Sequence, residues 1–371
     1  VLLAGDVCSR ADGNLRPHLA LRKAARELAD AGIALLIVYG NHDYLAPGMP
    51  DLDWPSNCTV FGPDVGEPTI ISTDGKQVAS IFGLSYAQRD EKRNLARQFP
   101  RPPEGLFSIG LLHTACGPVS ENAVYAPCTV EDLIALGYDY WALGHVHQHT
   151  ILRQSNPTIA YSGSPQGLNP KETGPRGCLL VTVNDHKSAS VEFRETDAVR
   201  WHIIEVDIGP LSRQQDLLDT LEAELKGLSC EGHTTLVRFR LVGRGPLHQS
   251  QARASDMSDM CQHLRERGRA LSGPVWTEAI RAHTEPDLDL EARRAAEDLL
   301  GDFLRIADEL RSSEERIEEL ADTLAQPFKS TLGQTLREAG LTAKWVTPEK
   351  IRQWLQEAEW MGADRLVRSE E

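Results

Sequence analysis

Residues 33–43, IALLIVYGNHD, decide how the rest of the chain is interpreted. The first seven are apolar or aromatic, as expected for a strand that is buried on both faces of a sheet. Asn41, His42 and Asp43 follow after a single glycine, and their side chains can bind a metal ion or transfer a proton. A buried strand that ends in such residues predicts a functional site at the carboxyl edge of an α/β sheet.

Further apolar runs end in the same kind of residue. VLLAGD ends on Asp6, FSIGLLHT carries His113, and YDYWALGHVH ends on His145 and His147. The strands of an open α/β sheet place their ligands at one shared edge, so we expect these distant positions to meet there. The first half of the chain is therefore predicted to form a layered α/β domain with its site at the strand ends.

The side chains at these strand ends suit a catalytic metal centre. Carboxylate, amide oxygen and imidazole are typical ligands of Mn²⁺, iron or Zn²⁺, and the lack of thiolates argues against a structural zinc site. Asp6 can bridge two ions, and His145 and His147 alternate on an extended segment, so they can serve adjacent ions. Two ions about 4 Å apart polarise a phosphoryl oxygen and activate a bridging water. The pattern therefore predicts hydrolysis of a phosphate ester.

Neighbouring residues are predicted to assist this reaction. His42, beside Asn41, is placed to protonate the leaving alkoxide. Asp43 is expected to orient His42 or another ligand. The stretch YSGSPQ is expected to line the site and hold the substrate with backbone amides and hydroxyls, from Ser162, Gly163 and Ser164.

Taken in order, the motifs resemble those of a known superfamily. GDV, GNHD, LLHT and GHVH are similar to the second to fifth motifs of the calcineurin-like metallophosphoesterases. Within that superfamily, YAPCTVEDLIALGYDYWALGHVHQ (residues 125–148) and YSGSPQGLNPKETGPRGC (residues 161–178) resemble the SbcD-type bacterial DNA repair exonucleases, especially the YhaO branch. The resemblance is strong over residues 1–195 and covers the remainder only by layout. It implies a layered αββα sandwich with a small α/β cap and a helical C-terminal region.

The resemblance also implies residue roles, a cofactor and partners. Asp6 would bridge two divalent metal ions, and members of the family favour Mn²⁺. His42 would be the acid that protonates the leaving group. The other ligands implied are Asn41, His113 and His145 for one ion and His147 for the second. Family members degrade DNA ends, form homodimers and pair with a coiled-coil ATPase of the SbcC type that binds the helical tail. The implied function is a metal-dependent DNA nuclease of double-strand break repair.

One motif of the family is absent. Asp-x-His on the opening strand has no counterpart, and the chain begins at Val1 inside a predicted strand. We therefore expect a truncated N-terminus that lacks this strand. The ion held by Asp6 and His147 would lose ligands, so we expect this chain to bind that ion poorly and to be nearly inactive.

Composition limits the class of protein. A protein that binds DNA unaided usually has a basic surface, whereas this chain has a net charge of −15. We therefore expect a partner or a local basic groove to supply DNA contacts. The seven cysteines are scattered and contain no C-x-x-C pair, which favours reduced thiols in a cytoplasmic protein. No apolar run approaches the ~20 residues of a membrane-spanning helix.

We expect a nuclease domain over residues 1–198, an α/β capping domain over 199–284 and a helical, partner-binding tail over 285–371. Apolar residues of the tail alternate in spacings of three and four, which predicts a coiled-coil seam with one polar position. An amphipathic helix packed on its own domain explains the spacing equally well. The seam positions are Phe303, Ile306, Leu310, Ser313, Ile317, Leu320 and Leu324.

Two other functions remain open at this point. The first is a different metallophosphodiesterase that acts on a small nucleotide or on a phosphoprotein. Protein phosphatases of this fold continue their second motif as Gly-Asp-x-x-Asp-Arg-Gly, which GDVCSR does not match. The second is a catalytically silent scaffold that docks an ATPase and DNA. The missing first motif favours the scaffold, whereas intact GNHD and GHVH favour an enzyme.

Overall fold

Apolar strands of the first half form sheets that pack face to face. The computed structural model describes residues 1–8, 15–45, 52–117, 125–248, 254–285, 287–329 and 346–370. The strands β1 (Leu2–Ala4), β2 (Leu35–Val38) and β3 (Cys58–Val60) form a parallel sheet in that order. The strands of a second sheet are β4 Thr69–Thr73, β5 Lys76–Leu84, β6 Phe107–His113, β7 Tyr140–Gly144, β8 Thr150–Arg153 and β9 Thr158–Tyr161. They lie in the order β4-β5-β6-β7-β9-β8, with β5, β6, β7 and β9 parallel.

Strand β2 shows how the sequence builds the layers. Leu36 and Val38 join side chains of the second sheet in one buried cluster. Leu35 and Ile37 pack instead with residues of α1 (Arg16–Asp30). Because successive side chains of a strand point to opposite faces, one continuous apolar run fills both interfaces.

A short helix and a 3-10 turn cover the far face of the second sheet. Helix α2 (Val130–Ala135) and the turn Leu95–Gln98 pack in a cluster with the fully buried Trp141. Reciprocal hydrogen bonds between Thr129 and Asp132 form a capping box that starts α2. The order helix, sheet, sheet, helix confirms the predicted αββα fold.

The layering brings the predicted site residues to one region. Strand β1 contacts both β6 and β7, and β2 contacts β6. His113 is the last residue of β6, and Asp6, Asn41 and His145 lie within three residues of the ends of β1, β2 and β7. A hairpin of β10 (Gly177–Val183) and β11 (Ala189–Glu195) completes this part of the chain.

The second half begins with a smaller α/β sheet. Its elements are β12 Val199–Asp207, α3 Gln214–Gly227, β13 Thr234–Arg244, α4 Ala254–Arg269 and β14 Val275–Glu285, with the strand order β12-β13-β14. Leu217, Leu221 and Leu225 of α3 pack against Val237 and Phe239 of β13. Contacts divide the chain into compact units, Val1–Trp201 and His202–Glu371. The predicted boundaries at 198/199 and 284/285 stay predictions.

The C-terminal region is helical, as predicted. Its helices are α5 Leu290–Arg294, α6 Leu299–Ser312, α7 Glu314–Lys329 and α8 Pro348–Glu370. A continuous coiled-coil seam is wrong, because the backbone of Ser313 is extended and separates α6 from α7. Helix α6 packs on α8, as the alternative interpretation of an amphipathic helix on its own domain required. Among the described residues, no helix combines the length and apolarity needed to cross a membrane.

Candidate metal centre

His113 lies at the deepest point of the site. Its side chain is fully buried at the end of β6, and its Nδ1 lies 2.8 Å from the carbonyl oxygen of Ala4. A carbonyl oxygen only accepts hydrogen bonds, so Nδ1 carries the proton. Burial lowers the pKa of His113 and so favours the neutral ring. Nε2 is therefore left with a lone pair directed into the site.

Further acceptors face that lone pair. Asn41 Oδ1 lies 3.0 Å from His113 Nε2, and Asp6 Oδ2 lies 3.4 Å from it. With Nε2 unprotonated, acceptor atoms meet without a hydrogen between them, which is unfavourable unless a cation lies among them. Nitrogen and oxygen ligands of this kind suit Mn²⁺, iron or Zn²⁺. The arrangement therefore fits a divalent metal ion.

His145 belongs to the same group. The potential ligand atoms of Asp6, His113 and His145 all lie within 4.8 Å of one another. Asp6 and His145 both adopt positive φ, at 54° and 103°. A non-glycine residue in a sparsely populated backbone region costs about 1–3 kcal/mol and persists where the surrounding fold imposes it, most often at functional sites. The fold thus holds two strained residues where the sequence predicts ligands.

Asp43 ties the loop after β2 to the loop after β1. Its fully buried carboxylate accepts backbone hydrogen bonds on both oxygens. Oδ1 accepts from Gly40 at 2.6 Å and Asp6 at 3.1 Å, and Oδ2 accepts from Val7 at 2.6 Å and Cys8 at 3.3 Å. Burial raises the pKa of Asp43, and the amide hydrogen bonds oppose that effect. The carboxylate therefore fixes the backbone from which Asp6 projects.

Glycines in the motifs leave room for this packing. A Cβ on Gly40 would lie 2.5 Å from Asp6 Oδ1 and 2.7 Å from His113 Cε1. A Cβ on Gly144 would lie 1.7 Å from the oxygen of Ala4, the atom that accepts from His113 Nδ1. Since real Cβ contacts are longer than these, the glycines are required for the strands to approach. They explain why GNHD and GHVH each begin with glycine.

Gly40→Ala is expected to weaken Mn²⁺ binding by tenfold or more, because the added methyl group displaces the Asp6 carboxylate and the His113 ring. Overpacking of this kind also lowers the free energy of unfolding by about 1–3 kcal/mol. Titration calorimetry with Mn²⁺ and thermal unfolding measure the two effects. Gly66→Ala is the control, since no atom lies within 4 Å of a Cβ at that position. Unchanged Mn²⁺ affinity in Gly40→Ala would contradict the close packing described above.

His147 lies outside the group around His113, and its side chain is 57% exposed. Its Nδ1 lies 2.7 Å from Glu172 Oε1, and its carbonyl oxygen accepts from Arg176 Nη1 at 2.5 Å and from Ser164 N at 3.0 Å. Burial acts to raise the pKa of Glu172, but hydrogen bonds from Leu168 N and His147, with the charge of Arg176, hold the pKa below its usual range. Two charged residues, Glu172 and Arg176, therefore contact His147.

The other predicted site residues are placed as follows. His42 exposes its side chain, and its backbone N donates to Asp6 Oδ1 at 2.8 Å. Ser162 Oγ donates to the carbonyl oxygen of Gly163 at 3.2 Å, and Ser164 packs against the His147 segment. The roles predicted for these residues in acid catalysis and in substrate binding stay predictions.

Sequence reasoning missed Glu172 and Arg176. Both lie in NPKETGPRG, a loop rich in glycine and proline in which charged residues are usually solvated. Arg176 is nevertheless only 5% exposed. One signal in the sequence could have identified them: both charged residues follow shortly after YSGSP, a predicted site segment at the end of a buried strand. Their partner, His147, becomes apparent only when the loop is seen folded back on GHVH.

Several known proteins are similar to this chain in sequence. Residues 201–285 match the family model described as metallophosphoesterase YhaO, middle domain. The chain is 31% identical over 290 residues to metallophosphoesterase YhaO of Bacillus subtilis (strain 168), covering 78% of this chain and 71% of that protein. It is 25% identical over 218 residues to the DNA double-strand break repair protein Mre11 of Halobacterium salinarum, covering 57% and 53%. It is also 30% identical over 93 residues to the UDP-2,3-diacylglucosamine hydrolase of Pseudomonas syringae pv. syringae, covering 25% and 35%.

Fold, donor set and similarity together define a metal-dependent phosphodiesterase, a hydrolase that uses divalent metal ions. The chain belongs to the YhaO family of calcineurin-like metallophosphoesterases.

Proposed function

We propose that the protein is a metal-dependent DNA nuclease of double-strand break repair. The observation that carries the proposal is the meeting of Asp6, His113 and His145, where acceptor atoms face one another without a hydrogen between them. The Mre11 protein of Halobacterium salinarum, to which the chain is similar over 57% of its length, is named for DNA double-strand break repair. The proposed cofactors of the reaction are two divalent metal ions, both Mn²⁺.

Each side chain has a defined task in this proposal. Asp6, Asn41, His113 and His145 would hold one ion, and Asp6 and His147 would hold the second. The chemistry that bound ions would supply is polarisation of a phosphoryl oxygen and activation of the attacking water. Hydrogen bonds from backbone amides to Asp43 keep Asp6 in place. The exposed side chain of His42, whose backbone is bonded to Asp6, protonates the leaving oxygen. The amides and hydroxyls of Ser162, Gly163 and Ser164 hold the substrate phosphates.

Partners complete the proposed function. An acidic chain of net charge −15 has little capacity for unaided DNA binding, which supports a partner that contributes DNA contacts. We propose a coiled-coil ATPase like SbcC, bound at the helical tail over residues 285–371, and a homodimer as the working unit. The free state of all seven cysteines supports a reducing, cytoplasmic location.

In the full-length protein, His42→Ala is expected to lower the turnover of linear DNA and of bis-p-nitrophenyl phosphate by about 10²–10⁴-fold, since a positioned acid contributes that much. The affinity for Mn²⁺ should not change, because the backbone N that donates to Asp6 is retained. Turnover assays with Mn²⁺ and titration calorimetry measure the two effects. His186→Ala is the control, since His186 is an exposed histidine in the turn between β10 and β11.

The same assays separate the nuclease from the other functions. Hydrolysis of the small diester without hydrolysis of DNA would favour a phosphoesterase of small nucleotides, a candidate supported by the similarity to UDP-2,3-diacylglucosamine hydrolase. Tight Mn²⁺ binding without hydrolysis of either substrate would favour the silent scaffold. Hydrolysis of DNA that depends on His42 supports the proposed nuclease.

A further inference from the structure

We propose that Glu172 is a positioning residue that fixes the tautomer and the ring orientation of His147, so that His147 presents Nε2 to a metal ion. The inference rests on the proposed role of His147 as a ligand. Glu172 would act through His147 and would touch neither the ion nor the substrate.

Burial differs sharply between the two partners. The His147 side chain is 57% exposed, so packing alone leaves its ring free to rotate, whereas the Glu172 side chain is only 12% exposed. Glu172 Oε1 lies 2.7 Å from His147 Nδ1. The partly buried carboxylate of Glu172 therefore contacts the Nδ1 edge of an exposed ring, and the Nε2 edge of that ring is turned away from the carboxylate.

The backbone of both partners is held independently of this contact. The carbonyl oxygen of His147 accepts from Arg176 Nη1 and from Ser164 N. The loop of Glu172 is pinned by a β-bridge between Thr173 and Trp201. Both main chains are thus fixed, and Glu172 supplies the contact that fixes the His147 ring.

The hydrogen bonds of Glu172 decide the tautomer. Its Oε2 accepts from Leu168 N at 2.7 Å, and its Oε1 faces His147 Nδ1. An ionised carboxylate only accepts, so Nδ1 of His147 must be the donor, and in the neutral imidazole Nε2 then keeps its lone pair. A carboxylate that receives a histidine N–H in this way sets the ring orientation and raises the basicity of a metal-binding imidazole.

Glu172→Gln tests this assignment with almost no change of shape. Leu168 N and His147 Nδ1 are both donors, and a carboxamide offers only one oxygen to accept from them. If that oxygen stays with Leu168 N, the amide group donates to Nδ1 and forces the proton onto Nε2, where it blocks metal binding. We expect the ion bound through His147 to be held about 10–100-fold more weakly, as is typical when the partner of a ligating histidine is removed.

Titration calorimetry of the full-length protein with Mn²⁺ measures this loss without reference to activity. The double variant Glu172→Gln/His147→Ala supplies the decisive readout. A residue that acts only through His147 adds nothing once the imidazole is gone, so the double variant should bind Mn²⁺ as His147→Ala does. A purely structural role of Glu172 would instead give losses that add, and that result would overturn the inference.

A matched control is available on the adjacent hairpin. Glu192 of β11 also pairs through one carboxylate oxygen, with Arg194 Nη2 at 2.8 Å, and its side chain is 58% exposed. Glu192→Gln removes the same charge and should leave Mn²⁺ affinity unchanged. Thermal unfolding of all variants shows whether Glu172→Gln remains folded, and a folded variant with intact Mn²⁺ binding would also overturn the inference.

Failure of the inference is distinguishable from failure of the proposed function. If His147→Ala weakens Mn²⁺ binding and Glu172→Gln does not, His147 keeps its role as a ligand and the role of Glu172 is wrong. If His147→Ala leaves Mn²⁺ binding unchanged, the ligand role of His147 is itself wrong, and the role of Glu172 is wrong with it.

Discussion

Asp6→Asn is expected to abolish tight metal binding while leaving the metal-free protein at least as stable as the parent. Removing one charge that lies about 4 Å from a cation costs about 4 kcal/mol near a protein surface, or roughly a thousandfold in affinity. Because the ion here is divalent, this is a lower bound, and hydrolysis should fall at least in proportion.

The stability of the metal-free variant follows from the acceptors around His113. The introduced carboxamide keeps one oxygen for His42 N, which donates to Asp6 Oδ1 in the parent. Its N–H group then faces His113 Nε2, which lies 3.4 Å from Asp6 Oδ2. A donor thereby replaces an acceptor opposite a lone pair, so the site is satisfied without a cation.

Calorimetric unfolding with and without Mn²⁺ measures this prediction directly. Binding to the folded state raises the melting temperature of the parent, and that rise should disappear in Asp6→Asn. Asp74→Asn is the control, because Asp74 is exposed in the tight turn between β4 and β5 and its loss removes the same charge. A variant that still shows the full Mn²⁺-dependent rise would contradict the placement of the ion beside Asp6.

Much of this site was predictable because its residues follow buried strands. The run that becomes β2 is apolar on both faces, and the signals after it and after β7 are short motifs with known chemistry. Once parallel strands are inferred, the convergence of Asp6, Asn41, His113 and His145 follows from sheet geometry. A layered α/β domain could be predicted for the same reason, since continuous apolar strands require cover on both sides. The αββα order was implied by the resemblance to the metallophosphoesterases.

The remaining features depend on contacts that no local pattern records. Glu172 meets His147 only because a loop without periodicity folds back across the strand end. Spacings of three and four were compatible with a long seam and with a helix packed on its own domain. The extended backbone at Ser313 divides the seam, and α6 is instead buried against α8. A pattern of spacing states which face of a helix is apolar, and tertiary packing decides what covers that face.

Asp43→Asn is expected to be the most damaging single change that touches neither metal nor substrate. Asp43 accepts backbone N–H groups on both of its oxygens, whereas a carboxamide accepts on one oxygen and turns donors toward the remaining amides. Each buried donor left unsatisfied costs about 1–3 kcal/mol, so the free energy of unfolding should fall by about 3 kcal/mol. The substitution also removes a buried charge, whose desolvation raises the pKa of Asp43, and this gain offsets only part of the loss.

The damage should extend to metal binding, because the Asp6 backbone N donates to Asp43 Oδ1 at 3.1 Å. Urea unfolding and Mn²⁺ titration measure the two effects. Asp139→Asn is the matched control. Asp139 accepts hydrogen bonds from Ser108 N and Ser108 Oγ on the single oxygen Oδ2, and the oxygen of a carboxamide can accept both. We expect Asp139→Asn to stay within about 1 kcal/mol of the parent, the net worth of a typical hydrogen bond. Equal losses in the two variants would show that charge, and not the use of both oxygens, determines what Asp43 contributes.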